Sequence, residues 1–359
     1  MKVKAAVLYE VNQPIVVEEV DVDGPKAGEV LVKIAATGVC HSCYSVITGK
    51  EKWPLPAVLG DEGAGVVEAV GSGVSLVKPG DHVVLSISPA CGHCIYCVRG
   101  YASLCRKAAQ MKERPPRYSK NGKGIYQFTV ASFAEYTVVP QEAAVPIDQD
   151  LPLDKAALCG CSVISGVGSV ANTAEVKLGS SVVVIGAGGI GLNAIQGAAL
   201  AGAAQIIAVD LVEAKLEMAR QFGATHTINA SNGDPISEIH ALTEGLGADY
   251  AIEAIGTNVT YEQAIRAIRP RGKAILIGLP QSEPICLEPQ LLMNGERIIM
   301  GSALGSTRMR YDVPRLISLY RAGKLKLDEL ITQTYPLEAV NEAFEDMLNG
   351  KVARGVIRF

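Results

Sequence analysis

Ser181-Val-Val-Val-Ile185-Gly186-Ala-Gly188-Gly-Ile-Gly191 is the stretch that decides the fold of this chain. Its first five residues form an apolar, β-branched run, the pattern of a strand buried on both faces. A GxGxxG motif follows at once, and the small, apolar residues from Leu192 to Ala201 predict a helix. The glycine motif alone is weak evidence, but a strand before it and a helix after it specify a turn that cradles a pyrophosphate. Gly186 allows the tight turn, Gly188 lets the backbone approach the phosphates, and Gly191 lets the helix close on the strand. The N-terminus of that helix offers free N–H groups to an anion. A second run, Gln205-Ile-Ile-Ala-Val-Asp210, ends in a carboxylate nineteen residues after Gly191, placed to accept hydrogen bonds from both hydroxyls of an adenosine ribose. Because Asp210 repels a 2′-phosphate and no arginine follows it immediately, NAD is expected rather than NADP. Gly186, Gly188, Gly189, Ile190, Gly191 and Asp210 are the expected contacts.

On either side of this motif the chain changes character. From about 163 to 300 apolar runs alternate with helical patterns, as βαβ units of a doubly wound parallel sheet do. Before about 150 it reads as short strands, such as Glu29-Val-Leu-Val-Lys-Ile and Asp81-His-Val-Val-Leu-Ser, punctuated by Gly and Pro. Lys112 to Gly124 is polar and basic, and is expected to be a mobile surface loop. After about 304 amphipathic helices return and the chain ends in a strand, Gly355-Val-Ile-Arg-Phe.

Within the first region Cys91, Cys94, Cys97 and Cys105 follow a C-x2-C-x2-C-x7-C spacing. Two-residue gaps let four thiolates surround one ion, and sulfur ligands at about 2.3 Å suit Zn²⁺. A closed structural zinc site is expected, with His93 outside the ligand set. Two disulfides or an iron–sulfur cluster are the competing readings. A chain of 359 residues builds its core without disulfides, and a reducing, cytoplasmic compartment is expected. A net charge of −4 gives no reason to expect nucleic acid or an anionic membrane as partner. No apolar run reaches the roughly 18 residues of a membrane span.

Taken together, the cysteine lobe, Gly38-Val-Cys40-His-Ser42, Gly60-Asp-Glu62-Gly-Ala-Gly65, Gly160-Cys161-Ser-Val-Ile-Ser-Gly166 and the dinucleotide fingerprint resemble the zinc-dependent medium-chain alcohol dehydrogenases. The resemblance covers nearly the whole chain. It implies a GroES-like β-barrel catalytic domain at 1–162 carrying the cysteine lobe at about 88–108, and a Rossmann NAD-binding domain at 163–303. A segment at 304–359 would return to the first domain. It also implies hydride transfer between nicotinamide and a small alcohol, aldehyde, ketone or enone, and a homodimer or homotetramer joined through an edge strand of the Rossmann sheet.

The family's catalytic zinc is held by a cysteine, a histidine from Gly-His-Glu and a second cysteine. By resemblance the cysteines fall on Cys40 and Cys161, with Cys159 the competitor for the second. The histidine position holds Asp61, and the family's Cys-x-[Ser/Thr]-Asp is here Cys40-His41-Ser42-Cys43. An ionised aspartate adds a negative charge to the site. Three arrangements stay open: Cys40, Asp61 and Cys161 hold zinc with an open position that Glu62 can enter; Cys43 closes the site as a fourth ligand; or no metal binds and hydride goes to a conjugated C=C.

The resemblance further places Ser42 in the proton path and leaves Ser45 where the family has a terminal histidine. His41 is then a substitute acid/base or a pyrophosphate contact. Arg354 matches a pyrophosphate contact, Lys215 a residue near the adenosine ribose, and Ile277 a cofactor contact. Tyr44, Trp53, Leu55, Ile87 and Leu304 align with positions that line the family's substrate pocket. A thiol-adduct dehydrogenase and a non-catalytic NAD-binding protein are further readings.

Overall fold

The computed structural model describes residues 1–280 and 284–359. The chain forms two compact units. One comprises Met1–Cys161, Arg308–Gly323 and Leu327–Phe359, the other Ser162–Thr307 and Lys324–Lys326.

In the second unit six parallel strands lie in the order His226–Asn229, Gln205–Asp210, Ser181–Ile185, Ala248–Glu253, Ile268–Leu276, Ile298–Gly301. This is the doubly wound order, with its switch point between Ser181–Ile185 and Ala248–Glu253. The first strand is central because its valines are apolar on both faces: Val182, Val183 and Val184 are fully buried. The helix after the glycines runs Gly189–Leu200, starting three residues before the expected Leu192. The extended Gly188 ends the strand connection, so the helix starts directly after it. Ile298–Gly301 is the sheet's edge, with Ile298 45% and Met300 44% exposed.

The first unit holds a closed barrel of Lys2–Leu8, Val16–Val22, Tyr118–Lys120, Lys123–Gln127 and Ala57–Val58. Beside it a seven-stranded sheet is centred on Glu29–Gly38. The segment expected to be a mobile loop, Lys112 to Gly124, instead supplies a short 3-10 turn and much of a barrel hairpin. Asn121 and Gly122 take positive φ at its tip, the Asn-Gly turn that matches the twist of paired strands. Tyr118 is buried, and the Lys120 ammonium pairs with Glu18 across the strands. The basic residues that suggested mobility decorate a hairpin whose fold comes from its turn and its buried tyrosine.

C-terminal strand Arg354–Arg358 pairs antiparallel with Glu29–Gly38 (Val356 with Gly38, Arg358 with Ala36), and Gly63–Val70 pairs with Glu29–Gly38 on its other side. Three strand ends therefore meet at Gly38, where the Gly38 N–H donates to the Glu62 carbonyl (2.8 Å) and the Val39 N–H to the Gly355 carbonyl (3.0 Å). Among the described residues no helix is long and apolar enough to cross a membrane.

Candidate active site and metal centres

The meeting of those strand ends places a cluster of polar groups in an otherwise apolar interior. Cys40 leaves the end of Glu29–Gly38, and Asp61 and Glu62 precede Gly63–Val70. Cys161 follows Gly160, whose missing side chain lets the chain pass 2.8 Å from the Leu85 carbonyl oxygen, measured from where a Cβ would stand. Donor atoms of Cys40, Asp61 and Cys161 lie within 4.8 Å of one another. Asp61 is completely buried, Cys40 4% exposed and Cys161 6%. Cys159 is also buried but outside this group, its thiol pushed up to about 12 by burial alone. Two thiols and a carboxylate form a donor set suited to Zn²⁺, and three protein ligands leave a position for substrate.

Each member perturbs the others. The Cys40 thiol is driven well below its ordinary range, first by a hydrogen bond from Cys161 and then by the Arg354 charge. Cys161 is raised by the same bond and by burial, so of the two sulfurs Cys161 holds its proton the more tightly. Burial, followed by the Cys40 charge, pushes the Asp61 carboxyl up to about 7. Its Oδ2 accepts from the Ser42 hydroxyl and its Oδ1 from the Cys43 thiol at 3.6 Å. Cys43 is fully buried, and burial raises its pKa well above the thiol range. It therefore approaches the cluster as a donor to Asp61.

Glu62 lies outside the three-residue group and accepts an ion pair from the Arg354 guanidinium. Gly38 makes room for it, since a Cβ there would stand 1.8 Å from Glu62 Oε2. Arg354, expected on a pyrophosphate, is 5% exposed and committed to this carboxylate. The pair is a feature the sequence did not indicate, because its partners meet only through the pairing of the last strand with the third. His41 is exposed at the start of the helix His41–Ile47, and Ser45 donates to its carbonyl (3.0 Å). Tyr44, Trp53 and Leu55 pack against a core containing Phe128, Phe133 and Phe344, while Ile87 joins a different core group. The Trp53 ring meets Phe128 edge-on at 4.9 Å. Leu304, in the second unit, is half-buried with φ 50°.

Metal-free protein must lose protons to bind a cation here. Cys161, raised well above the thiol range, has a proton to lose, and below about pH 7 Asp61 has one as well. Zinc affinity at this site is expected to rise with pH, and more steeply below about 7, where Asp61 must also lose its proton. Competition with a chromophoric chelator measures this, and a pH-independent affinity would contradict it. The sign for stability is opposite. Asp61 binds its proton more tightly folded than unfolded, so its contribution is present at acid pH and is lost as pH rises from about 4 to 7.

In the lobe the sulfurs of Cys91, Cys94, Cys97 and Cys105 lie within 4.8 Å of one another, and none is in a disulfide. Backbone N–H groups favour thiolates at two of the four: Cys91 donates to the Cys105 sulfur at 3.3 Å, and donors from Cys97 and Arg106 bring Cys94 down to about 6, while burial pushes Cys97 up to about 12. Four sulfurs supported by amide donors fit a closed zinc site. His93 is exposed, its Nδ1 within 2.8 Å of the Cys91 carbonyl.

In the second unit the expected phosphate turn has the geometry its glycines suggested. Gly186 has φ 97°, and a Cβ on Gly191 would stand 1.6 Å from the Gly186 carbonyl oxygen. Gly188 differs: it has an ordinary φ of −80°, and a Cβ there would meet no atom within 4 Å. The chain's own packing does not require that glycine, so it leaves a cradle a side chain would fill. No side chain caps the helix beyond it. Gly189 and Ile190 are half-buried on its first turn. Asp210 ends its strand and accepts from the Ala187 N–H (2.8 Å) and the Val212 N–H (3.1 Å), tying itself to the turn. Lys215 is half-buried on the following helix, Glu213–Gln221. Ile277 lies just past Ile268–Leu276, its N–H on the Glu253 carbonyl (2.9 Å). These features fit a dinucleotide.

Comparison with known proteins agrees. Residues 26–149 match the model of the alcohol dehydrogenase GroES-like domain, and residues 189–322 that of the zinc-binding dehydrogenase domain. The chain is 42% identical to an NDMA-dependent alcohol dehydrogenase of Amycolatopsis methanolica, covering 99% of each. It is 41% identical to an S-(hydroxymethyl)glutathione dehydrogenase of Paracoccus denitrificans, covering 100% of both. The solved structure of benzyl alcohol dehydrogenase from Acinetobacter calcoaceticus superposes with a TM-score of 0.93 at 33% identity, covering 100% of this chain and 99% of that one. The chain therefore belongs to the zinc-dependent medium-chain alcohol dehydrogenase family, oxidoreductases that join a GroES-like domain to a Rossmann-type domain.

Proposed function

We propose that this protein is an NAD-dependent oxidoreductase that moves a hydride between C4 of nicotinamide and the carbinol or carbonyl carbon of a small, largely apolar alcohol or aldehyde. The observation that carries this reading is the convergence of Cys40, Asp61 and Cys161 in one buried cluster with a hydroxyl, that of Ser42, on its carboxylate. Cys40, Asp61 and Cys161 would hold a zinc ion, which when bound supplies Lewis-acid polarisation of the substrate oxygen. Ser42 Oγ takes the proton leaving the alcohol as its own proton passes on to solvent, and Asp61 Oδ2, to which the hydroxyl is bonded, orients it for that transfer. Glu62 and Arg354 hold one another and keep a compensating cation beside Cys40 and Asp61. Gly186 to Gly191 and Asp210 bind the pyrophosphate and adenosine ribose, and the acid selects NAD over NADP. Two chains, or two such pairs, associate through the edge strand Ile298–Gly301.

The test is metal content per chain together with turnover of benzyl and short alkyl alcohols on NAD and on NADP. Assays also include added NDMA, a thiol–formaldehyde adduct, and a conjugated enone with NADH. About two zinc ions per chain, alcohol oxidation, and NAD favoured over NADP at least tenfold are expected. One zinc per chain with reduction of the enone alone would overturn this reading in favour of conjugate hydride addition without a second metal.

A further inference from the structure

The doubly wound order constrains where the rest of a dinucleotide lies. The glycine turn and Asp210 stand on one side of the switch point, so the other half of the ligand crosses to the carboxyl ends of Ala248–Glu253 and Ile268–Leu276. The loops leaving those two strands, Ala254–Gly256 and Ile277–Leu279, cross backbone to backbone. A Cβ on Gly278 would stand 2.2 Å from the Gly256 nitrogen, and one on Gly256 would stand 2.1 Å from the Leu279 oxygen. Only two glycines permit that crossing.

Beneath it lies Glu253, completely buried at the end of its strand and paired in register with Ile185, the residue before the glycine turn. Its Oε1 accepts from the N–H groups of Ile255 (2.8 Å) and Gly256 (2.7 Å) and from the Thr260 hydroxyl (2.8 Å). Its backbone carbonyl accepts from Ile277 (2.9 Å) and Gly278 (3.1 Å). Oε2 has no hydrogen-bond partner among the described residues and lies under the crossing, 2.7 Å from where a Gly278 Cβ would stand. From the other side the Tyr261 hydroxyl donates to the Gly278 carbonyl at 2.9 Å. The loop so held lays Ile255, 45% exposed, over the first glycine of the motif, 2.6 Å from where a Gly186 Cβ would stand. A buried carboxylate with an unsatisfied oxygen is costly where an apolar side chain would suffice.

We propose that Glu253 is a positioning residue for the nicotinamide half of the dinucleotide: its side-chain and backbone oxygens fix Ile255, Ile277 and Gly278 where that half crosses the switch point. The proposal rests on the NAD reading above. It is tested by titrating the metal-loaded protein with NADH and with ADP-ribose, which lacks the nicotinamide, in the wild type, Glu253→Gln and Tyr261→Phe, with Tm measured for each. Glu253→Gln is expected to weaken NADH at least tenfold and ADP-ribose less than twofold. Tyr261→Phe, which loosens the same loop with little change in shape, is expected to weaken NADH about threefold with ADP-ribose unchanged. Equal weakening of both ligands, or a lowered Tm with neither affected, would reduce Glu253 to a structural brace and overturn the proposal. Wild-type protein that binds neither ligand would instead overturn the NAD reading.

Discussion

Gly191→Ala is expected to abolish NADH binding, raising Kd at least a hundredfold, and to lower Tm by several degrees. The added Cβ would stand 1.6 Å from the Gly186 oxygen and 2.8 Å from its carbonyl carbon. Both belong to backbone fixed by the strand register, because the Gly186 N–H donates to the Val209 carbonyl (2.8 Å). Only a shift of the whole helix Gly189–Leu200 away from Ser181–Ile185 relieves the clash, and that carries its first-turn N–H groups off the phosphates. Overpacking of this kind costs about 1–3 kcal/mol or more, and a hundredfold loss of affinity corresponds to about 2.7 kcal/mol. Gly188→Ala separates folding from binding. Its Cβ would enter open space at a φ any residue adopts, so Tm is expected to stay within about 2 °C while NADH weakens at least tenfold. Tight NADH binding in both variants, by fluorescence titration, would mean that these glycines do not form the phosphate cradle.

Restoring a neutral ligand at the buried cluster is expected to have the second-largest effect. Asp61→His, in zinc-replete protein, should raise kcat for a simple alcohol or ketone about a hundredfold. An ionised Asp61 adds a negative charge near an oxygen that gains negative charge in the transition state. At about 4 Å and an effective dielectric of 20 that repulsion is worth about 4 kcal/mol, nearly three decades in rate. Part of it is already offset, because Ser42 and Cys43 donate to the Asp61 carboxylate and the Arg354 cation lowers its pKa. The hundredfold figure reflects that discount. Steady-state kinetics alongside metal analysis decide the matter: unchanged kcat at equal zinc content would show that the site's charge does not limit the reaction.

How much of this was legible beforehand depended on how far apart in the chain the partners lie. The cysteine lobe and the glycine turn are local, and their spacing alone foretold that four sulfurs would gather and which glycines the turn needs. The different jobs the sequence gave Gly188 and Gly191 match the packing, which makes Gly191 obligatory and leaves Gly188 facing open space. For Lys112 to Gly124 composition misled, because charge was weighed above the Asn121-Gly122 turn and the tyrosine that anchors the hairpin. Cys161 and Cys159 are chemically identical and two positions apart, so only resemblance ranked them. Glu253 carried one signal that went unread, an acid closing a strand run three residues before a glycine.

By itself the sequence determined the alternation of strands and helices, the phosphate turn with its acid at Asp210, and the fourfold cysteine spacing, since each is written in neighbouring residues whose periodicity and chain length suffice. Tertiary structure alone decided that Cys43 binds Asp61 beside the Cys40, Asp61 and Cys161 cluster that resemblance had implied, and that Glu62 pairs with Arg354. It also decided that Glu253 ties two loops across the switch point. The physical reason is common to all three: such contacts depend on the register between strands far apart in the chain, and on the burial that shifts the charges gathered at their ends.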